Sequence, residues 1–153
     1  MMKIINYEER YQKEVLQLIK EIIQTINRKD YTLEQVRIWS MIDEERWIKS
    51  ARKKVGKIAV INQQIVGYGD IAINGYIDYL YVHKDYQGIG IAKDLLMALE
   101  NIHPDKKLTV AASITARPFF ESQGYQVIKQ NQVFIKEVPF VNFSMEKLTN
   151  YTT

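Results

Sequence analysis

The stretch that decides the fold lies in the middle of the chain, where positions 79–92 read YLYVHKDYQGIGIA. A strand-like run of apolar and aromatic residues leads into a short loop with two glycines, and a helical pattern begins directly after it. Glycine lets the backbone approach a ligand closely, and a helix start presents unpaired N–H groups at the positive end of its dipole. The segment therefore predicts an anion site at residues 87–92, suited to a phosphate or pyrophosphate.

Two other phosphate-binding loops do not fit these residues. A Walker loop needs Lys followed by Ser or Thr after its second glycine, whereas Ile91 and Ala92 follow Gly90 here. A dinucleotide-binding fold needs a longer Gly-x-Gly-x-x-Gly near the first strand, with an acidic residue about 20 positions further on. Two glycines at a helix start also fit a tight turn without a ligand. The interpretation of this loop as an anion site therefore depends on further features of the sequence.

The hydrophobic patterns on both sides of the loop predict a single α/β domain over residues 1–153. Before the loop we expect three helices, the second and third capped by Thr32 and Asp43, at Glu9–Asn27, Thr32–Trp39 and Asp43–Lys53. The strands expected there are Lys3–Asn6, Lys57–Ile61, Ile65–Ile73 and Tyr76–Val82. After the loop we expect a helix with Leu95, Leu96 and Leu99 on its apolar face, and a second helix at Ile114–Gln123 that Gly124 ends. The strands expected there are Leu108–Ala112, Val127–Ile135 and Val138–Met145.

The composition excludes several classes of protein and site. With 46% hydrophobic and 25% charged residues among 153, the chain is typical of a globular domain. The absence of cysteine excludes disulfides, a thiolate nucleophile and cysteine-bound zinc, and two histidines argue against a multi-histidine metal site. The net charge of +3 is spread along the chain, so we expect no nucleic-acid partner. No apolar run approaches the roughly 20 residues of a membrane helix, so we expect no membrane contact. The absence of cysteine suits a reducing cytosol, and we expect a cytoplasmic protein that holds no metal.

The loop and its surroundings resemble one family. Residues 87–92 match the [Gln/Arg]-x-x-Gly-x-[Gly/Ala] signature of the GNAT superfamily of N-acetyltransferases, and Leu80–His83 resembles that family's fourth strand. Thr115–Tyr125 is similar to its last helix and the Gly-aromatic step that follows. The sequence also resembles the YafP-like branch of the superfamily, at Tyr31–Trp39 and at Val141–Lys147.

This resemblance implies a three-layer fold and a co-substrate. The expected sheet is mostly antiparallel, splayed between its fourth and fifth strands and covered by helices on both faces. The expected co-substrate is acetyl-CoA, and its pyrophosphate would bind the backbone amides of Gly88, Ile89, Gly90, Ile91 and Ala92. Gln87 would shape the loop entrance, and Lys93 either adds a cation or is a solvated helix residue. The pantetheine arm would contact Leu80, Tyr81, Val82, Ser113 and Phe120.

The implied reaction is direct attack of a primary amine, on a small molecule or a peptide, on the thioester carbonyl. A backbone N–H near Leu80 or Tyr81 would stabilise the oxyanion. Asp78 is the first candidate for the general base, because strict alternation would place it with Tyr76, Leu80 and Val82 on one face of the strand. The alternative is that Asp78 binds a cationic substrate at the rim, or none. His83, just past the strand, is the other candidate base because an imidazole titrates near neutrality, but its position favours a solvent-facing loop residue.

One position departs from the family pattern. Many relatives have a proton-donating Tyr where this chain has Phe120, and a phenyl ring cannot protonate the departing thiolate. Tyr76, Tyr81 or Tyr125 would substitute for it, or the thiolate leaves unassisted or through water. The alternative function is a non-catalytic acyl-CoA-binding module. The resemblance makes Arg37, Trp39 and Trp47 candidates for acceptor contacts, whereas aromatic residues at helical spacing are more often core residues. Exposed terminal strands would allow a homodimer.

Overall fold

One seven-stranded sheet runs through the molecule in the order β1-β2-β3-β4-β5-β7-β6. The computed structural model describes residues 1–148, so positions 149–153 of the predicted domain lie outside the described residues. The strands are β1 (Met2–Asn6), β2 (Lys54–Ile61), β3 (Gln64–Ala72), β4 (Tyr76–Val82), β5 (Leu108–Ser113), β6 (Gln126–Ile135) and β7 (Val138–Lys147). The helices are α1 (Gln12–Thr25), α2 (Leu33–Trp39), α3 (Glu44–Ala51), α4 (Ile91–Glu100) and α5 (Arg117–Ser122).

Local signals in the sequence account for most element boundaries. Thr32 and Gln35 form the predicted capping box at the start of α2, and the Asp43 carboxylate accepts from the Arg46 N–H at the start of α3. Gly124 adopts the predicted left-handed conformation, with φ of +92°, after α5. The helix predicted from Ile114 begins only at Arg117, because the residues before it form a turn.

The sheet opens between β4 and β5. These two strands run parallel but share only two pairs, Tyr76 with Thr109 and Ile77 with Val110. Beyond them, β4 stays paired with β3 as far as Val82, while β5 stays paired with β7 along its whole length. The other neighbouring strands are antiparallel. The predicted fold, a mostly antiparallel sheet splayed between its fourth and fifth strands with helices on both faces, is therefore confirmed.

A β-bulge interrupts β4 shortly before the opening. Ile77 pairs with Ile71 of β3, but Leu80 pairs with Gly69, so two residues of β4 oppose the single residue Asp70. The extra residue breaks the alternation of side chains along the strand. Sequence analysis assumed that this alternation is uninterrupted over residues 76–82, and that assumption is wrong. Ile77 and Leu80, which strict alternation would place on opposite faces, both pack in the cluster that contains α4.

Helices cover both faces of the sheet. The first apolar cluster packs the buried side of α1, with residues of α2 and α3, against the sheet, and α4 and α5 pack against the other face. Two glycines of β3 let α4 lie directly on the strand. A Cβ on Gly67 would lie 2.9 Å from Leu95, and one on Gly69 would lie 2.9 Å from Leu99. This close packing fixes the position of α4, and with it the loop from β4. No helix within residues 1–148 is long and apolar enough to cross a membrane.

We expect Leu99→Ala to lower the free energy of unfolding by about 2–5 kcal/mol, because Leu99 is fully buried between α4 and the sheet. Met97→Ala on the same helix is the matched control. Its side chain is 49% exposed, and we expect a change within about 0.5 kcal/mol. Urea unfolding followed by circular dichroism measures both. Equal losses in the two variants would contradict the described packing of α4.

Candidate functional site

The space between the separated strands forms a cleft of about 210 Å³. Its walls come from β4 and β5, from the end of α1 and the segment after it, and from the turn and helix that follow β5. Gln87 and Ala92 also line the cleft, so the glycine loop between them borders it. The predicted site residues that line the cleft are Asp78, Leu80, Tyr81, Val82, Gln87, Ala92, Ser113 and Phe120.

The two loop glycines adopt a backbone conformation that other residues rarely adopt. Gly88 and Gly90 have φ values of +76° and +89°. A Cβ built on either glycine would meet no atom within 4 Å, so the space outside the loop is open. Gly90 is the N-cap of α4, and no side chain caps this helix start.

The backbone N–H groups of this loop are not used by the protein. Within residues 1–148, no amide from Gln87 to Lys93 donates a hydrogen bond to a protein acceptor. The first amide of α4 that does so is that of Asp94, which donates to the Gly90 carbonyl at 3.0 Å. A row of unpaired donors therefore lies at the positive end of the α4 dipole, beside the cleft, and is available to an anion.

The hydrogen-bond phase of β4 decides which backbone groups face the cleft. The His83 N–H donates to the Val66 carbonyl of β3 at 2.8 Å. Hydrogen-bonded and non-hydrogen-bonded pairs alternate along an antiparallel ladder. The pair two residues before His83, Tyr81 with Tyr68 of β3, is therefore hydrogen-bonded as well. Leu80 and Val82 therefore direct their N–H and C=O groups away from β3, towards the cleft. The Val82 carbonyl is satisfied by the Gln87 side chain, whose Nε2 donates to it at 2.6 Å. Of the two amides considered from sequence, that of Leu80 faces the cleft.

Asp78 belongs to an ionic group beside the cleft. Lys54 Nζ lies 2.7 Å from Asp78 Oδ2 and 3.0 Å from Asp70 Oδ2, so one ammonium contacts two carboxylates. The Lys54 side chain is 6% exposed, that of Asp70 is fully buried, and that of Asp78 is 34% exposed. Burial raises the pKa of Asp70, while Lys54 and the hydroxyl of Tyr68 act in the opposite direction.

Sequence analysis missed Lys54 and Asp70. Asp70 did carry a signal, because it is a lone carboxylate inside the apolar strand predicted at Ile65–Ile73. Lys54 carried none, since it follows another lysine just before the predicted strand. Asn27 was also missed. It is a buried polar residue that lines the cleft beside Trp39.

Of the three candidate hydroxyls, one borders the cleft. Tyr81 lines it, and burial raises its pKa, so its hydroxyl stays protonated at neutral pH. Tyr76 lies at the start of β4, where the strand still pairs with β5, and it is not among the lining residues. Tyr125 donates its hydroxyl to Glu100 at 2.8 Å. Phe120 is buried, lines the cleft, and packs edge-on against the Tyr125 ring.

The candidate acceptor residues are also separated by the structure. Trp39 lines the cleft, whereas Trp47 is buried against Tyr7 and Tyr68, and Arg37 is exposed on α2. No group of three or more histidine, aspartate or glutamate side chains within residues 1–148 is placed to hold a metal ion.

Comparisons with known proteins identify the family. The family model described as "Acetyltransferase (GNAT) domain" matches residues 27–147. The protein described as "Uncharacterized N-acetyltransferase YafP", from Escherichia coli (strain K12), is 36% identical over 143 residues, which cover 94% of this chain and 93% of the relative.

Solved structures share the fold. The "GCN5-Related N-acetyltransferase: Aminotransferase, Class-II" from Rhodopseudomonas palustris superimposes with a TM-score of 0.91 at 28% identity, over 95% of this chain and 94% of the other. The PaiA N-acetyltransferase from Thermoplasma acidophilum, in complex with coenzyme A, gives a TM-score of 0.79 at 16% identity, over 97% and 99% of the two chains. The family match and the identity to YafP together show that the chain belongs to the GNAT acetyltransferase family, as a YafP-like member.

Proposed function

We propose that this chain transfers an acetyl group from acetyl-CoA to a primary amine of a small molecule or peptide, by direct attack of the amine on the thioester carbonyl. Membership of the GNAT family gives acetyl transfer as the general activity. The observation that carries the finer proposal is the row of unused N–H groups from Gln87 to Lys93, beside a cleft between two separated strands.

In this proposal the loop binds the pyrophosphate of acetyl-CoA. The amides of Gly88, Ile89, Gly90, Ile91 and Ala92 donate to the phosphate oxygens, and the α4 dipole favours their negative charge. Lys93 is exposed in the first turn of α4, where its cation adds to the same field. A protein of the same fold, the PaiA N-acetyltransferase, has been solved in complex with coenzyme A.

The pantetheine arm would then lie along β4 inside the cleft, where it can pair with the free backbone groups of Leu80 and Val82, while Tyr81 contributes its side chain to the lining. The Ser113 Oγ accepts from the Ala116 N–H at 3.0 Å, which leaves its hydroxyl hydrogen free to bond the arm. The Phe120 ring supplies apolar contact. In this arrangement the Leu80 N–H donates to the thioester carbonyl and stabilises the oxyanion of the tetrahedral intermediate.

Asp78 is the proposed general base. Lys54 is shared between Asp78 and the fully buried Asp70, so one ammonium faces two carboxyl groups. Asp78 is the member that lines the cleft, so it attracts the acceptor ammonium and takes its proton. The free amine forms a bond to the carbonyl carbon, and the C–S bond breaks as the intermediate collapses. The CoA thiolate is protonated by the Tyr81 hydroxyl or by water, and the second proton, which the nitrogen releases as the amide forms, restores that donor. Tyr76 remains the alternative donor, which Tyr76→Phe would test.

We expect Gly90→Glu to weaken acetyl-CoA binding by more than about 100-fold, because the carboxylate enters the space in front of the loop and repels the phosphates. Gly90→Ala is the matched control. Both variants force a residue with a Cβ to adopt a φ of +89°, which costs about 1–2 kcal/mol in each, but only one adds the charge. Isothermal titration calorimetry measures the affinities, and thermal unfolding checks that the two variants are equally stable. Wild-type affinity in Gly90→Glu would remove the loop from the proposal.

We expect Asp78→Asn to lower kcat/KM by about 100-fold at low pH, where the acceptor is protonated and a base is needed. The loss should shrink as the pH approaches the pKa of the acceptor, because free amine then reaches the site without help. Asp85→Asn removes an exposed carboxylate outside the cleft and should keep the wild-type profile. Release of the CoA thiol follows the reaction, and the chain has no cysteine to react with the thiol reagent. An unchanged pH–rate profile in Asp78→Asn would exclude this base.

The second candidate function, a non-catalytic acyl-CoA-binding module, is favoured by one observation. The chain has the buried Phe120 in place of a proton-donating tyrosine. Titration with acetyl-CoA and a thiol-release assay over a panel of small amines and peptides separate the two functions. Binding without thiol release on any acceptor would replace the transferase proposal with the binding module.

A further inference from the structure

A fully buried carboxylate lies in the middle of β3, directly opposite the bulge of β4. Both carboxylate oxygens of Asp70 have polar partners. Its Oδ2 accepts from the Tyr68 hydroxyl at 2.6 Å and lies 3.0 Å from Lys54 Nζ, and its Oδ1 accepts from the Tyr79 N–H at 2.9 Å. A buried charge is costly unless it is paired in this way. The three polar partners of Asp70 therefore allow the fold to bury this carboxyl group completely.

The bond to Tyr79 satisfies the amide that the bulge leaves without a regular partner. Where two residues of one strand oppose a single residue of the next, the ladder is disrupted and a backbone group loses its place in it. An unpaired buried N–H costs about 1–3 kcal/mol. The Asp70 side chain supplies the missing acceptor from the residue that the bulge itself opposes.

The bulge decides where the Leu80 N–H points. The pair Ile71–Ile77 sets one register, and its uninterrupted continuation would place Leu80 opposite Tyr68. Tyr68 lies two residues from Val66, which accepts from the His83 N–H, so Tyr68 also occupies a hydrogen-bonded position of β3. Opposite Tyr68, the Leu80 N–H would point at β3 and bond to it. The extra residue shifts the register by one, which places Leu80 opposite Gly69 and turns its N–H towards the cleft.

We propose that Asp70 is a positioning residue for acetyl transfer: by accepting from the Tyr79 N–H it holds the β4 bulge, and thereby directs the Leu80 N–H at the thioester carbonyl. This inference rests on the proposed function, since it assigns a task to the Leu80 amide in that reaction. Asp70 is not among the residues that line the cleft.

The test compares two substitutions of Asp70. Asp70→Asn removes the charge but keeps an oxygen that can accept from the Tyr79 N–H, whereas Asp70→Ala removes both. We expect Asp70→Ala to lower kcat by about 100-fold, the usual effect of losing one oxyanion donor, with the dissociation constant for acetyl-CoA changed less than about threefold because the loop is intact. Asp70→Asn should recover most of kcat at a pH near the pKa of the acceptor, where free amine reaches the site and the base Asp78, now sharing Lys54 with no second carboxylate, is not needed.

A spectroscopic measurement reports the hydrogen bond itself. Acetyl-CoA labelled with ¹³C at the carbonyl should show a lowered C=O stretching frequency on binding to the wild type, because the Leu80 N–H polarises the bond. We expect the frequency to return towards its solution value in Asp70→Ala and to stay lowered in Asp70→Asn. A purely structural role for Asp70 would change stability without changing this frequency.

Asp70→Ala leaves Lys54 buried beside a gap, so a second pair of variants covers the case in which it does not fold. Lys54→Met/Asp70→Val and Lys54→Met/Asp70→Asn both remove the ion pair, and replacing a buried pair with apolar residues of similar volume is often tolerated. Only the variant with Asp70→Asn keeps an acceptor for the Tyr79 N–H. We therefore expect the lowered C=O frequency to be lost in Lys54→Met/Asp70→Val and kept in Lys54→Met/Asp70→Asn. A wild-type frequency and kcat in Asp70→Ala, or equal frequencies in the double variants, would overturn the inference alone. Failure of the wild type to bind acetyl-CoA would overturn the proposed function.

Discussion

The structure depends on how the backbone groups along an opened sheet are satisfied. After two pairs, β4 and β5 separate, and each stays with its outer neighbour. The groups that face the gap would cost about 1–3 kcal/mol each if they were buried without partners. The protein satisfies some of them with side chains: Gln87 covers the Val82 carbonyl, and the Tyr31 hydroxyl accepts from the Ile114 N–H at 2.9 Å. The groups of Leu80 face the cleft, which is in effect a free sheet edge inside the molecule and suited to an extended ligand.

The cleft and the glycine loop between Gln87 and Ala92 are connected through one strand and one helix. β4 supplies one wall of the cleft and leads into the loop, and α4 begins where the loop ends. Gly67 and Gly69 of β3 allow α4 to lie against the sheet, so the start of the helix is held beside the gap. A ligand with a charged phosphate end and a thin polar arm can therefore bind both features at once. Neither feature requires a particular side chain, because the donors are backbone groups.

Sequence alone predicted the features that single residues or short patterns encode. Glycine permits a positive φ, and its place at the start or end of a helical pattern identified the loop at Gly88 and Gly90 and the helix end at Gly124. The capping box at Thr32 works through contacts three residues apart. The Lys54–Asp78 contact joins residues 24 positions apart, and it exists only because three strands align in one register. The bulge was missed for a related reason, since an extra residue in β4 is defined by its partner strand and leaves no mark in the local alternation of residues.

The bulge links the two halves of the proposed chemistry. Its two residues on β4 are Asp78 and Tyr79, and they differ in which group they present. The Tyr79 amide is held by Asp70, which sets the phase that turns the next amide towards the cleft. The Asp78 carboxylate shares Lys54 with that same Asp70. The ammonium is therefore divided between a fully buried carboxyl group and the one that lines the cleft. One inserted residue therefore positions both the proposed oxyanion donor and the proposed base, and a change in its geometry would move the two together.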